Sequence, residues 1–260
     1  MPKNRLTPKS MKKYIVIVFS LIFFNLIANK GLYAQVAYND SSSQQIAFNK
    51  AVGAFYVSEG NQSPLFNGKE YFDYLTSIKG NAYFLDIKSF TKGNIYFDGI
   101  WYIDVQMLYD LNKDEVVVLL FNNFTKITLV KQKVINFDYL GFHFKNINSD
   151  TLKNKTDLKS GFYGETYNGK IEVLVKFEKN IQTTSGGLSA PESYFNFFKD
   201  YYIKKGKDYY RISSKGALLE LLKDKKTELK QFIRSSNIKF SENPENFMAI
   251  VAAYYDKITN

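Results

Sequence analysis

The sequence predicts an α+β fold: an antiparallel β-meander sheet or open barrel, with a helical C-terminal segment packed against it. Three observations predict it. Between Glu70 and Phe144, short runs rich in aromatic and β-branched residues alternate with Gly, Asn and Asp, the pattern of strands and turns. Asp98-Gly99 and Asn168-Gly169 each sit between two such runs. They suit type I′ hairpins, whose two central positions both need positive φ. From Lys215 onward, apolar residues recur at helical spacing behind Ser and Asn caps.

Residues 1–34 read as a signal peptide. Lys12-Lys13 precede the apolar run Tyr14 to Ile27, and small residues follow up to Ala34. The expected cut leaves Gln35 first, with Leu32 at −3 a poorer fit than Ala, and Met11 is a suitable start. The run is shorter than the roughly 20 residues that span a bilayer; an uncleaved anchor is the alternative. No cysteine follows it, so it is not a lipoprotein signal. The expected location is therefore periplasmic, outer-surface or secreted. The full chain has 35 Lys and Arg against 25 acids. Residues 1–34 hold six of the former and none of the latter, leaving 29 against 25, or +4, on residues 35–260. That is ordinary, and with export it argues against nucleic acid as a partner. A chain without cysteine relies on burial for stability.

Residues 35–260 are expected to form one α+β domain, β-rich over 70–212 and helical over 213–260. A polar N-terminus leads into a helix from Ser43 to Val57, and NQSPLFNG (61–68) is a loop. Strands are expected at 82–87, 94–98, 100–109, 115–121, 126–131 and 133–144. Gly80-Asn-Ala-Tyr-Phe84 and Gly93-Asn-Ile-Tyr-Phe97 echo each other, as consecutive strands would. Around Asp98-Gly99 the two-residue turn sets Phe97 opposite Ile100, Tyr96 opposite Trp101 and Ile95 opposite Tyr102. Strict alternation then puts Trp101, Ile103, Val105, Met107 and Tyr109 on a core face. Ile100, Tyr102, Asp104, Gln106 and Leu108 fall on the other.

Residues 145–160 are polar and basic, a loop. Phe162–Tyr167 and Lys170–Lys176 flank Asn168-Gly169, and 180–191 is a flexible loop. A third hairpin is expected around Lys205-Gly206, with a helix over 192–203 as the alternative. Ser213 or Ser214 caps a helix, Asp224 to Thr227 divides it, and Asn237 stops it. Asn243-Pro244-Glu245 starts another.

The chemistry is sparse. The only histidine, His143, lies near Asp138, but alternation along one strand sends it to the opposite face. A histidine-based triad has no nucleophile motif to use, and zinc lacks ligands. Asp110-Leu-Asn112-Lys-Asp114 opens like a calcium loop, but Glu115 and Phe121 stand where Gly and Glu belong; a β-turn is expected. No cofactor is indicated. Carboxylate pairs for glycan hydrolysis are set by folding; Asp73, Asp86, Asp98 and Asp104 lie in the sheet region. Lys199 to Phe240 carries 12 Lys and Arg against five acids, which reads as the solvated face of amphipathic helices or as a basic patch. Four Asn-x-Ser/Thr matches, at Asn39, Asn61, Asn123 and Asn154, are the chance yield of an Asn-rich chain.

The candidate binding residues are Tyr96, Trp101, Tyr102 and Asp104, aromatic rings with an acid beside the Asp98-Gly99 turn, suited to a sugar or an apolar ligand. A helix, one of the C-terminal pair, is available to cover them, and the face of Ile95, Phe97, Ile100 and Tyr102 is expected to be buried.

The chain combines an Ala-Gln signal end, Leu65-Phe-Asn-Gly-Lys-Glu-Tyr71, Asp98-Gly and Tyr109-Asp110-Leu with Tyr167-Asn-Gly, Phe232-Ile-Arg and Tyr254-Tyr255-Asp256. In this order of parts it resembles a group of exported Bacteroidota proteins to which no activity is assigned. The resemblance implies compartment and shape only. The expected role is a non-enzymatic exported protein binding a glycan or another envelope protein, touching membrane only through the signal peptide before cleavage. A carboxylate-based glycan hydrolase and a basic membrane-surface protein are the alternatives.

Overall fold

The computed structural model describes residues 41–120, 122–152, 158–184 and 190–259. The expected signal peptide, Asn39 and Asn154 lie outside them. Ala47–Asn260 forms one compact unit.

Helix α1, Ser41–Ser58, opens the described chain. Two 3-10 turns, Gly60–Gln62 and Pro64–Phe66, carry the predicted loop. The strands are β1 Lys69–Glu70, β2 Thr91–Phe97, β3 Ile100–Asp110, β4 Glu115–Leu119, β5 Lys126–Thr128, β6 Val134–Tyr139, β7 Phe142–Ile147, β8 Gly161–Asn168, β9 Ile171–Thr184, β10 Glu192–Lys205 and β11 Asp208–Arg211. Helices α2 Lys215–Leu221, α3 Lys226–Ser235 and α4 Pro244–Ile258 close the chain.

The described strands form one antiparallel sheet in the order β1-β5-β4-β3-β2-β6-β7-β8-β9-β10-β11. The two ends do not pair, so the sheet is open, as predicted. It nevertheless wraps on itself. Tyr109 of β3 and Phe162 of β8 are four strands apart in the order, yet their rings lie 5.9 Å apart. Backbone Lys179 N–H donates to Leu111 C=O at 3.2 Å across the same gap. The wrapped interior is aromatic. Phe84 makes edge-on contacts at 5.1–5.2 Å with Phe142, Phe144 and Phe177.

Asp98 (φ 52°) and Gly99 (φ 84°) make the predicted type I′ turn, and the three expected pairs form. The face assignment then fails. Asp104 takes φ 58°, and the β2–β3 register shifts between Gly93 and Ile95. This bulge adds one residue and reverses alternation. Tyr102, Val105, Met107 and Tyr109 therefore share the core, and Trp101 and Ile103 do not join them.

The expected strand 133–144 is two strands. Leu140 (φ 51°) and Gly141 (φ 81°) form another tight turn, pairing Tyr139 with Phe142. Leucine rarely accepts that backbone, so the turn is masked in the sequence. The expected strand 82–87 is instead a loop with a 3-10 turn at Phe84–Asp86. There the Asn81 side chain accepts from Tyr83 N–H at 2.8 Å, taking a donor a sheet would need. The echo of Gly80–Phe84 with Gly93–Phe97 is thus one loop and one strand. Strand 126–131 stops at Thr128 and 115–121 at Leu119. Strand β7 runs on to Ile147, and β9 takes in 180–184.

Asn168-Gly169 does not form a type I′ turn, for neither has positive φ. Asn168 pairs with Glu172 around a three-residue loop, whose Lys170 N–H donates to Asp256 Oδ2 at 2.7 Å. The Lys205-Gly206 hairpin forms as expected, so 192–203 is strand. Ser214 and Asn243 cap α2 and α4. Lys223–Lys225 is a 3-10 break between α2 and α3.

The helices pack Leu218, Leu222, Leu229, Ile233, Phe247 and Val251 against Ile171, Val173 and Ile203. That is the β8–β10 end of the sheet, remote in strand order from Asp98-Gly99.

Candidate ligand-binding site

The four residues singled out from the sequence do not converge. Tyr96 and Trp101 stack, centroids 5.2 Å apart and planes 26° apart, both half-buried. Tyr102 points the other way and is fully buried. Its face, with Ile95 and Phe97, is buried as expected, but by the sheet's own curl together with Leu65 and Phe84, not by a C-terminal helix. The helix at this hairpin is α1: a Cβ on Gly53 would collide with the Trp101 carbonyl oxygen. Asp104 sits exposed on the bulge, its carboxylate 3.2 Å from Lys92 Nζ.

Asp98, Asp73 and Asp86 are also held by lysines. Asp98 pairs with Lys133 at 2.7 Å, Asp73 with Lys126 at 2.5 Å and Asp86 with Lys179 at 2.6 Å. The Leu140-Gly141 turn brings Asp138 opposite His143 after all, with Oδ1 and Nδ1 2.7 Å apart. The expectation that they diverge was wrong because it assumed one continuous strand. Glu165 is the next residue across from His143, which places no hydroxyl or thiol nucleophile directly opposite it.

Asp110 to Asp114 forms a turn between strands, as expected. Asp110 is buried and its oxygens accept from Tyr71 OH at 2.8 Å, Tyr74 OH at 2.9 Å, Asn112 N–H at 2.8 Å and Lys113 N–H at 3.0 Å. Burial, then the Asp110 charge, pushes both tyrosine hydroxyls well above their ordinary range. They stay protonated and donate. No group of three or more His, Asp or Glu among the described residues is placed to hold a metal ion.

This turn builds a concave site. It fixes Tyr71 against β3–β4 and leaves a groove of about 640 Å³ along the open edge. Asn67 to Phe72, Lys113, Glu115 and Thr128 to Gln132 line it. The Lys113 ammonium lies 4.2 Å and 4.7 Å from the Tyr71 and Tyr74 ring centroids and donates to Phe72 C=O at 3.2 Å. Phe72 is 69% exposed. Burial raises the Glu115 carboxyl above its ordinary range, against the pull of Lys113. Sequence reading missed this groove because Tyr71, Lys113 and Glu115 meet only through the Asp110 turn. The Leu65–Tyr71 stretch, noted as a likeness, gave no chemical signal.

The smaller site, about 330 Å³, lies between Gly80-Asn81, Leu85-Asp86, Lys179, Phe195 and Phe197. Lys179, buried, donates to Asn81 C=O and Tyr83 C=O, each at 2.9 Å, and to Asp86.

The basic segment is mostly neutralised. Lys199, Lys204, Lys205, Arg211, Lys225, Lys226 and Lys239 all sit in ion pairs. No helix among the described residues is long and apolar enough to cross a membrane, which says nothing of strands. Searches of protein-family models, curated proteins and solved structures give no match to this chain.

Proposed function

We propose that the chain is an exported envelope or secreted protein that binds a glycan or another envelope protein without catalysis, using the groove beside β1. One observation carries the binding reading. A groove of about 640 Å³ lies on the sheet's open edge and combines an exposed ring, Phe72, with converging polar groups from Lys113, Glu115 and the backbone of β1. Such a mixture suits a ligand with both apolar and hydroxylated faces. Export rests on the pattern of residues 1–34 and on the resemblance stated above.

The test expresses the full gene, identifies the N-terminus in the exported fraction, and screens that protein against envelope glycans and purified envelope proteins. Cleavage after Ala34 and a ligand lost in Phe72→Ala/Lys113→Ala support the proposal. Retention in the cytoplasm with no processing defeats the export half.

A second reading has one observation behind it. Glu70 and Glu115 line the same groove, and the raised carboxyl of Glu115 suits a general acid of a glycan hydrolase. Release of reducing sugar that Glu115→Gln abolishes, with binding kept, would select this reading over simple binding.

A further inference from the structure

The smaller pocket has features that the edge groove does not explain. Its lip is Leu85-Asp86, and both residues hold positive φ, 51° and 58°. Neither is glycine. Left-handed backbone is unfavourable for L-residues, most of all for a bulky one such as leucine, and such strain persists only where its surroundings enforce it. Here Lys179 enforces it, through two carbonyls and the Asp86 carboxylate. The core takes Ala82 and Phe84 from this loop, but neither Leu85 nor Asp86. The strain does something further: it turns Leu85 outward and sets the Asp86 carboxylate at the pocket lip, with its side chain 76% exposed.

The wall opposite is aromatic. Phe197 is 46% exposed, although it belongs to a central part of β10. Its ring is held by stacking on Phe177 at 6.5 Å and 10°, with Lys199 Nζ 5.8 Å from its centroid. Phe195 is fixed edge-on against Tyr74 at 5.0 Å. A rigid, exposed ring facing an exposed carboxylate and a side-chain amide, that of Asn81, offers an apolar floor and a polar rim. The volume is at the small end of the roughly 300–1,000 Å³ of ligand pockets, room for one ring. Asp86 is already neutralised by Lys179 at 2.6 Å, so the rim has no net charge with which to select an amine. A neutral ring with one apolar face and hydroxyl donors at its edge satisfies both walls.

From this geometry we infer a second ligand site, for a single neutral hexopyranose ring. Its C–H face lies on Phe197, and its hydroxyls donate to Asp86 Oδ2. The site is built by β9, β10 and the Gly80–Asp86 loop, and it does not depend on the edge groove.

The test is ligand-observed NMR on the purified full chain. The probes are methyl β-glucopyranoside, methyl β-galactopyranoside and N-acetylglucosamine, with 2-phenylethylamine and cyclohexanol as comparators. At least one hexose binds with millimolar affinity. Phe197→Ala weakens it by about tenfold, the loss expected for one aromatic contact. The same loss on Phe197→Ala is expected in a Phe72→Ala background, where any hexose held by the edge groove is removed. Asp86→Asn weakens hexose binding further while keeping a Lys179 acceptor. Should that variant fail to fold, Phe197→Ala decides alone, since its ring is half exposed. Absence of hexose binding overturns the inference, as does hexose binding that Phe197→Ala leaves intact. Binding of the amine or of cyclohexanol in preference to every hexose also overturns it.

Discussion

Lys176 Nζ lies 2.7 Å from Asp114 Oδ2 inside the wrapped sheet, with only 5% of the lysine side chain exposed. The pair joins the β3–β4 turn to β9. Lys131 Nζ also reaches Asp114, at 2.6 Å, and Tyr109 OH donates to its other oxygen at 2.6 Å. Burial by itself would raise the Asp114 carboxyl, but Lys176 and Lys131 outweigh it and hold it below the usual range. Removing one partner of such a pair strands a buried charge. Asp114→Ala is expected to cost about 3–5 kcal/mol, read as a fall in Tm of roughly 10 °C or more. Asp114→Ala/Lys176→Met should recover most of that loss.

The same lowered carboxyl fixes an acid dependence. A carboxylate with a depressed folded pKa adds stability that is fully present above the unfolded value, about 3.9. The stability is lost as pH falls through the lower folded value. Glu172, held down by Lys204 and Lys145 against its burial, acts in the same direction. Denaturant melts at descending pH should lose stability below about pH 4, and Asp114→Asn should flatten that slope.

Lys179 governs the Phe84 loop. Lys179→Met leaves the Asn81 and Tyr83 carbonyls without this donor and frees a strained segment. A loss of about 2–4 kcal/mol is expected, with faster hydrogen exchange at 81–87 than elsewhere. Phe84→Ala, which empties the aromatic centre, should cost about 3–5 kcal/mol. If exchange at 81–87 is unaltered in Lys179→Met, the clamp is not what holds the loop.

Trp101 is the single tryptophan and reports on α1. Gly53→Val drives a side chain into the Trp101 carbonyl, so α1 must lift. A red shift of tryptophan emission is expected, with a change in Tm of only a few degrees, since the core lies on the other face of β3. An unshifted spectrum would mean that α1 does not pack there.

Asp256 ties α4 to the β8–β9 loop through Tyr167 OH at 2.9 Å and Lys170 N–H at 2.7 Å. Asp256→Ala is expected to cost about 2–3 kcal/mol. Gly169→Ala should act alike, because its Cβ would strike the same carboxylate. Thermal melts of both variants check the pairing of cause and effect.

Strand order near Asp98-Gly99, the helix caps and the helical break at Asp224 were legible because local residue chemistry dictates each. Tight turns at Asn and Gly, and caps at Ser and Asn, need no knowledge of the rest of the chain. What escaped depended on distant partners. The bulge at Asp104 put Tyr102, rather than Trp101, on the face of Val105, Met107 and Tyr109, which dissolved the predicted patch. A leucine in the left-handed region at position 140 hid the hairpin that joins Asp138 to His143. The Asn168-Gly169 turn yielded to a carboxylate 86 residues away from Lys170. Both concave sites are assembled around buried polar residues, Asp110 and Lys179, each with partners far along the chain, Tyr74 36 residues from Asp110 and Asn81 98 residues from Lys179.

The edge groove is tested most directly by equilibrium binding of the exported protein to envelope glycans and purified envelope proteins, comparing wild type, Phe72→Ala/Lys113→Ala and Trp101→Ala. A binding role for the groove predicts at least one ligand, an affinity loss of about tenfold or more in the double variant, and no loss in Trp101→Ala. Equal binding by wild type and the double variant, or binding lost only in Trp101→Ala, would contradict it.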